Sequence, residues 1–455
     1  MGLFHVAIRG RDRKHLVALQ PKFRVIVVGY REDKRGAVVD AFIPSEKISY
    51  LRRKGYDVTP IEEVTAHDRD RQAEGRVSVE VRLKKGRYGD VIFGGGYLSS
   101  DEVEEAMVLG EKNHAGYCER IALPNLTWEK RRCHALRIGT GGSKGRTAIC
   151  LMAGTHGREW GGPDILVYFG IRLLRAYRDK KPIKLGRRTF TAAQVRWLVE
   201  NREIILYPLV NPDGRHFSME RHPMWRKNRR PAPKGRSHKS VGVDLNRNFP
   251  FLWNFDLHFA PGTVQSSRKP GEYETYIGPR EASEPETRNV IWLLDRCDSI
   301  RYFVDLHSYG ETILHSWGSD NNQSDRPRMS FRNKRYDGKR GLLDDDAYRE
   351  FIPAADEKEA AALARRMATA IGRVRGRKYL AQQSVGLYPT AGAADDYAYS
   401  RHLADPRKPK VLAFTVEWGR SRASTPFHPP YKEMRSVMRE MTAGLLEFCL
   451  KAGAK

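Results

Sequence analysis

The sequence predicts an α/β protein, a central sheet with helices on both faces, preceded by a small α+β unit. Two observations carry this. Between residues 97 and 455, short apolar runs such as REIILYPLV and VLAFTVEWG alternate with stretches of helical period such as PDILVYFGIRLLRAY and EKEAAALARRMATAIGRVRG, the pattern of strands and crossover helices in one sheet. Three of the runs also stop in chemically loaded residues: His156 with Glu159, then His307, then Glu417. Ligands of open α/β sheets sit at the carboxyl ends of the strands, so three such ends can meet in one crevice.

Length and composition set the frame. With 455 residues, 40% of them hydrophobic and 10% aromatic, the chain has room for about two or three domains and a large buried core. Lys and Arg outnumber Asp and Glu by 81 to 55, a net charge of +26, so acidic surfaces and polyanions are attracted to it. No zinc-finger spacing, basic zipper or RNA-binding sheet motif accompanies that charge, which argues against specific nucleic-acid binding. Cys118, Cys133, Cys150, Cys297 and Cys449 are odd in number, widely spread and without a Cys-x-x-Cys pair. Reduced, buried thiols are expected, not a disulfide framework or a thiolate metal site. The N-terminus MGLFHVAIRGRDRKHLVALQ carries charge throughout and lacks the apolar core of a secretory signal. No stretch approaches the roughly 18 apolar residues of a membrane span, and a cytoplasmic chain is the expectation. Its oligomeric state is left open.

Residues 1–63 read as the small α+β unit: HVAIR as a strand, a short helix around His15 to Leu19, RVIVVGY and AVVDAFIP as strands, EKISYLRRKGY as a helix and DVTPIEEV as a strand. Residues 64–96 are charged and rich in Gly, a linker with room for one strand, VSVEVRL. The main domain, 97–455, opens with a helix, because Ser99 is a good N-cap and Glu102 follows at the capping-box spacing.

After the strand HALRIG and the turn GTGGSKGR, the apolar run before His156 reads as a buried strand. Gly154 and Gly157 mark a tight turn into the helix PDILVYFGIRLLRAY. REIILYPLV is a further strand, ended by the turn signal Asn211-Pro212-Asp213-Gly214. Residues 221–240 hold eight Lys or Arg and no acid, the composition of a solvated loop. SEPETRNVIWLLDRC reads as a helix capped by Ser283, with Glu286 at capping-box spacing. YFVDLHSYG is a strand, and residues 319–349 are a polar loop long enough to be functional or mobile. A helix, the strand VLAFTVEWG and a last helix from about Tyr431 to Leu450 complete the chain.

The chemistry begins with His156 and Glu159. At a spacing of three, a turn puts both side chains on one side, and an imidazole nitrogen with a carboxylate oxygen makes two of the three protein ligands of a catalytic zinc. Taken alone the pair is common, and a salt-bridged turn produces it too. His307 alone is more often a core histidine. Glu417 is harder to dismiss, since burying a carboxylate in an apolar strand is costly unless a metal, a cation or a proton attends it.

Joined by MWRKNRR, VGVDLNRNFP and VGLYPTAGAADDYAY, these motifs stand in the order of the zinc carboxypeptidase family, the metallopeptidases that include pancreatic carboxypeptidases A and B. From about Tyr97 to Leu450 the chain resembles that family, as a bacterial-type member with an extra N-terminal domain. The resemblance implies a mixed central sheet, one Zn2+ per chain, and the C-termini of peptides or proteins as substrate. His156, Glu159 and His307 look like the zinc ligands, the two-His, one-Glu set known from carboxypeptidase A. By the same resemblance Glu417 is the general base and acid, taking a proton from zinc-bound water and passing it to the leaving amine. Arg158 and Arg226 match positions that polarise the scissile carbonyl and steady the oxyanion. Asn246 and Arg247 match the pair that clamps the terminal carboxylate, Tyr388 the tyrosine that closes over the substrate, and Asp244 the carboxylate that orients the first zinc histidine. These roles suit the residue types: zinc acidifies water and polarises an amide carbonyl, an arginine fork matches both oxygens of a carboxylate, and a carboxylate behind a histidine fixes its tautomer.

Asp395 follows Tyr388 by seven positions, where carboxypeptidase B-like enzymes carry an aspartate at the base of the specificity pocket. The resemblance thus implies a preference for C-terminal Lys or Arg, or for basic and apolar residues alike; the neighbouring Asp396 offers a second register. The chain departs from the pancreatic pattern in lacking a matching disulfide pair, in residues 319–349 and in an N-terminal region without a placeable motif. That region matches the inhibitory prosegment of pancreatic enzymes in position and size, and a folded accessory domain is preferred here over a removable prosegment. The alternative activity is hydrolysis of acylated amino acids or cell-wall peptides on the same scaffold. A non-catalytic binding module is the alternative outside enzymes, and the presence of all three ligand types and Glu417 opposes it.

Overall fold

A computed structural model describes residues 3–64 and 96–453, apart from 13–14, 17–18, 20–22, 24, 34, 142–144, 238–240, 272–273 and 421–425. The linker strand VSVEVRL and part of the short helix near His15 lie outside the described residues. Strands β1 (Leu3–Arg9), β2 (Ile26–Asp33), β3 (Gly36–Pro44) and β4 (Asp57–Glu63) form an antiparallel sheet in the order β2-β3-β1-β4. The helix Ser45–Arg53 packs on β3 and β4. Alternation along the strands gathers Val6, Ile8, Ala41, Ile43 and Val58 with Leu51 into a core of its own.

The second sheet is built from β5 (Cys118–Ala122), β6 (His134–Ile138), β7 (Thr147–Ala153), β10 (Arg202–Tyr207), β11 (Ile300–Ser308), β12 (Thr312–His315), β15 (Leu380–Gln383) and β16 (Leu412–Trp418). Two small ladders stand apart from it: β8 (Ile183–Leu185) with β9 (Arg188–Phe190), and β13 (Asn322–Gln323) with β14 (Glu350–Phe351). The order is β15-β12-β16-β11-β7-β10-β6-β5. The four inner strands β16, β11, β7 and β10 run parallel, whereas β6 and β5 pair antiparallel at one edge and β12 runs antiparallel to β16. This is the expected mixed sheet, and its inner strands are almost wholly buried, as helix-covered parallel strands must be. The helix Tyr431–Lys451 packs against both Gly161–Arg178 and Ala354–Arg375, and Ala394–Ala404 lies on β16 and β11.

Local chemistry sets the helix starts. The Ser99 hydroxyl accepts from the Glu102 amide and the Glu102 carboxylate from the Ser99 amide, the predicted capping box of the helix Ser100–Asn113. Ser283 does not cap its helix. Pro285–Arg296 starts on a proline, whose fixed φ suits the first helical position, and the Ser283 hydroxyl donates instead to Glu284 (2.6 Å). The Asn-Pro-Asp-Gly signal is a helix start more than a turn: Asn211 Oδ1 accepts from the Gly214 amide (2.8 Å) at the head of Pro212–Glu220. Residues 319–349 are held in place. Arg340 is fully buried there and donates to the His258 and Tyr336 carbonyls and to Asp337. All five cysteines are free, and burial pushes Cys118 and Cys449 up to about 12. Among the described residues no helix is long and apolar enough to cross a membrane.

Candidate active site

Strand register brings the loaded residues together. Ala153, the last residue of β7, pairs with Leu306 of β11, and His307 of β11 pairs with Glu417 of β16. Beyond β7 the chain turns at Gly154, whose φ is +69° and where a Cβ would stand 2.8 Å from Leu209. Gly157 passes so close to the Gly214 carbonyl that a Cβ would stand 2.5 Å from its oxygen. The Gly157 amide donates to the Arg226 carbonyl (2.9 Å), and Asn211 Nδ2 to the carbonyls of Thr155 (3.1 Å) and Lys227 (3.2 Å). The His156 turn, the Asn211 helix start and the Arg226 segment are therefore one hydrogen-bonded unit.

His156, Glu159 and His307 converge, all buried. Nδ1 of His156 lies 2.7 Å from Glu159 Oε1, Nδ1 of His307 lies 3.0 Å from Glu159 Oε2, and the two Nδ1 atoms are 3.1 Å apart. Tetrahedral zinc with bonds of about 2.0–2.1 Å spaces its ligand atoms by roughly 3.3 Å, so only a small relaxation separates this set from a metal site. The charge balance fits a cation as well. Glu159, Asp244 and Asp305 are buried carboxylates around the two imidazoles, and among the described residues Arg226 is the one Lys or Arg that pairs with any of them. Burial opposes the charge on Glu159, but His156 and His307 override it and hold the carboxyl well below the usual range.

On its far side, Nε2 of His156 lies 3.3 Å from Asp244 Oδ1, and Asp244 Oδ2 also accepts from Nε of Arg226 (3.0 Å). Burial works against the Asp244 charge, and Arg226 and His156 keep it ionised. Burial pushes the Glu417 carboxyl up to about 8; His307 and Arg226 pull it down and Glu159 pushes it up.

These groups open into a cavity of about 630 Å³ that Arg158, Arg226, Asn246, Arg247, Tyr388, Asp395 and Glu417 also line. Arg247 donates to the carbonyls of Gln265 (3.1 Å) and Asn246 (2.8 Å), and Asn246 Oδ1 accepts from the Ala394 amide (2.9 Å). Asp395 accepts from the hydroxyls of Ser384 (3.2 Å) and Thr415 (3.0 Å). Asp396 is fully buried and accepts from the Gly318 amide (2.9 Å) outside that lining, so of the two aspartates Asp395 faces the cavity. Arg158 donates to Glu274 (2.7 Å), and its guanidinium sits 4.5 Å from the Phe427 ring centre.

Three features of the site escape motif reading. Asp305 lies behind His307, with Oδ2 2.7 Å from Nε2; the alternation of β11, which puts residues 305 and 307 on one face, is the signal that points to it. Glu274 engages Arg158 from a loop with no periodicity. The N-terminal unit lines the cavity with Leu3, Val25, Val27, Phe42, Pro44 and Lys47, and Phe42 packs against the paired rings of Tyr309 and Phe427, with ring centres 6.5 and 5.5 Å away.

The family described as zinc carboxypeptidase matches residues 114–444. Carboxypeptidase A4 of Mus musculus is 27% identical over 387 residues, 83% of this chain and 76% of that protein. Carboxypeptidase A1 of Rattus norvegicus is 28% identical over 312 residues, 68% of this chain and 60% of that protein. Metallocarboxypeptidase A of Trichophyton tonsurans is 34% identical over 194 residues, 42% of this chain and 40% of that protein. The last two alignments span less than two-thirds of those relatives. Among solved structures, carboxypeptidase A from Helicoverpa armigera shares the fold with a TM-score of 0.75 at 19% identity, over 100% of this chain and 98% of that one. Thrombin activatable fibrinolysis inhibitor does so with a TM-score of 0.71 at 19% identity over 100% of both.

Proposed function

Because this chain belongs to the zinc carboxypeptidase family, a family of metallocarboxypeptidase hydrolases, we propose that it removes the C-terminal residue of peptides or proteins. One observation carries the reading: His156, Glu159 and His307 meet beside Glu417 in a cavity that Asn246, Arg247, Tyr388 and Asp395 also line.

His156, Glu159 and His307 hold Zn2+ in this reading, which supplies a Lewis acid for the scissile carbonyl and makes water more acidic. Glu417 moves the proton. As a carboxylate it accepts a proton from the attacking water while that oxygen bonds to the carbonyl carbon, and it returns the proton to the amine nitrogen as the C–N bond breaks. Burial raises its basicity for the first step. Arg226 and Arg158 offer positive charge to the oxyanion. Arg247 keeps Nη2 without a partner among the described residues, a donor for the substrate's terminal carboxylate, with Asn246 beside it. Tyr388 closes over the bound residue.

Asp395 sets the preference in this reading. A carboxylate held by Ser384 and Thr415 inside the cavity attracts a C-terminal Lys or Arg. The N-terminal unit acts as a cover in this reading, because its side chains line the same cavity as the ligand residues.

The test compares peptides with a free C-terminal carboxylate against the same peptides amidated. Release from the free acids and none from the amides supports an exopeptidase with an Arg247 clamp. Equal turnover of both overturns it, and turnover only of acylated amino acids or cell-wall peptides favours the alternative activity.

A further inference from the structure

We propose that Asp305 is a positioning residue for His307, holding the ring so that Nδ1 faces His156 and Glu159. The inference rests on the metal reading above and adds a residue to it.

Strand geometry supplies the placement. On β11, residues 305 and 307 share a face, and the strand is clamped in register on both sides: Asp305 stands opposite Met152 of β7 and Thr415 of β16. The side chain cannot leave that position without breaking two ladders. It is fully buried, and its Oδ2 lies 2.7 Å from His307 Nε2. The Thr155 hydroxyl donates to both oxygens, at 3.4 and 3.3 Å, from the turn that carries His156. Among the described residues the carboxylate has no Lys or Arg partner; its one ion pair is with His307.

The bond decides the histidine's state. A carboxylate accepts, so in the neutral ring that a metal requires the hydrogen sits on Nε2 and the Nδ1 lone pair faces the other two ligand residues. His156 repeats the arrangement with Asp244 Oδ1, but at 3.3 Å and on a carboxylate whose other oxygen accepts from Arg226. The two histidines thus carry matching supports, and the Asp305 bond is the shorter one, on a carboxylate that no Lys or Arg shares among the described residues. Nothing in the packing of a fully buried strand calls for a carboxylate at this position, since an apolar side chain would avoid the desolvation that a charge incurs.

The experiment is zinc affinity, measured on the full chain by competition with a chromophoric chelator, for the parent, D305N and D305A, together with thermal unfolding of the zinc-free proteins. The parent is expected to bind one zinc. D305A is expected to bind it about 10- to 100-fold more weakly, and D305N less weakly than D305A, because an amide oxygen can still accept from Nε2. If D305A does not fold, D305S, too short to reach Nε2, replaces it in the comparison. Affinity equal to the parent in D305A or D305S overturns the assignment. So does equal weakening in D305N and D305A that tracks a loss of zinc-free stability, which marks a purely structural carboxylate. Failure of the parent to bind zinc would instead defeat the metal reading itself, so the two failures are distinguishable.

Discussion

His307 and Glu417 are direct partners in the parallel register of β11 and β16, so the imidazole and the carboxylate leave the same face of the sheet side by side. Strand spacing of about 4.8 Å sets their separation, and neither moves without disturbing the ladder. A metal ligand and a proton acceptor are thereby held at a fixed distance by backbone. Glu417 is not among the three converging ligand residues. E417Q is therefore expected to keep its zinc and lose about 10²- to 10⁴-fold in kcat, checked by metal content and turnover on one preparation.

Asp395 is fixed by two hydroxyls, and Thr415 reaches it from the strand that carries Glu417. Removing the carboxylate leaves a basic substrate side chain unpaired in a buried site, a loss of at least about 2 kcal/mol. D395A should lower kcat/KM for a C-terminal Arg by roughly 30-fold and leave a C-terminal Leu or Phe little changed. The ratio of the two substrates is the readout; an unchanged ratio removes Asp395 from the specificity pocket.

Phe42 packs against the paired rings of Tyr309 and Phe427, so an aromatic contact seats the N-terminal unit on the second domain beside the cavity. Cutting the chain between residues 64 and 96 is expected to raise turnover of peptides as the cover leaves. F42A should weaken the seat and raise turnover without a cut. Turnover that stays constant after a complete cut favours the accessory-domain reading.

Glu286 offers a pH test away from the metal. Burial pushes it up to about 8, with Glu284 adding to the rise and the Asn228 amide opposing it. Between the ordinary value of 4.5 and about 8 the unfolded chain is ionised at this position and the folded one protonated. Folding then binds a proton, and stability falls as pH rises through that window, by up to about 1.4 kcal/mol per pH unit. E286Q stays neutral, so its melting temperature, measured at fixed zinc, should fall less steeply from pH 5 to pH 8 than the parent's. Parallel profiles contradict the assignment.

Much of this was legible in the sequence because it is local or periodic. The buried strands, the Ser99 capping box and the Gly154 turn follow from runs, spacings and special residues within a few positions of one another. The ligand residues were visible as motifs, whereas their meeting depends on β7, β11 and β16 lying adjacent, which alternation alone does not specify. Ser283 misled because a serine at capping-box spacing competes with a proline that starts the helix two residues later. Asn211 looked like a turn since turns and helix starts use the same side-chain acceptor. Glu274 on Arg158 and Phe42 on Phe427 join segments more than a hundred residues apart, contacts for which a single sequence carries no local signal.

The most direct test of the account measures zinc content and release of the terminal residue from peptides ending in Arg, Lys, Phe, Leu or Glu, for the parent chain, the chain cut between residues 64 and 96, and E417A. The prediction is one zinc per chain, release that is fastest for Arg and Lys and greater after the cut, and release slowed at least about 100-fold in E417A. Absence of zinc, or release in E417A at the parent's rate, would contradict it.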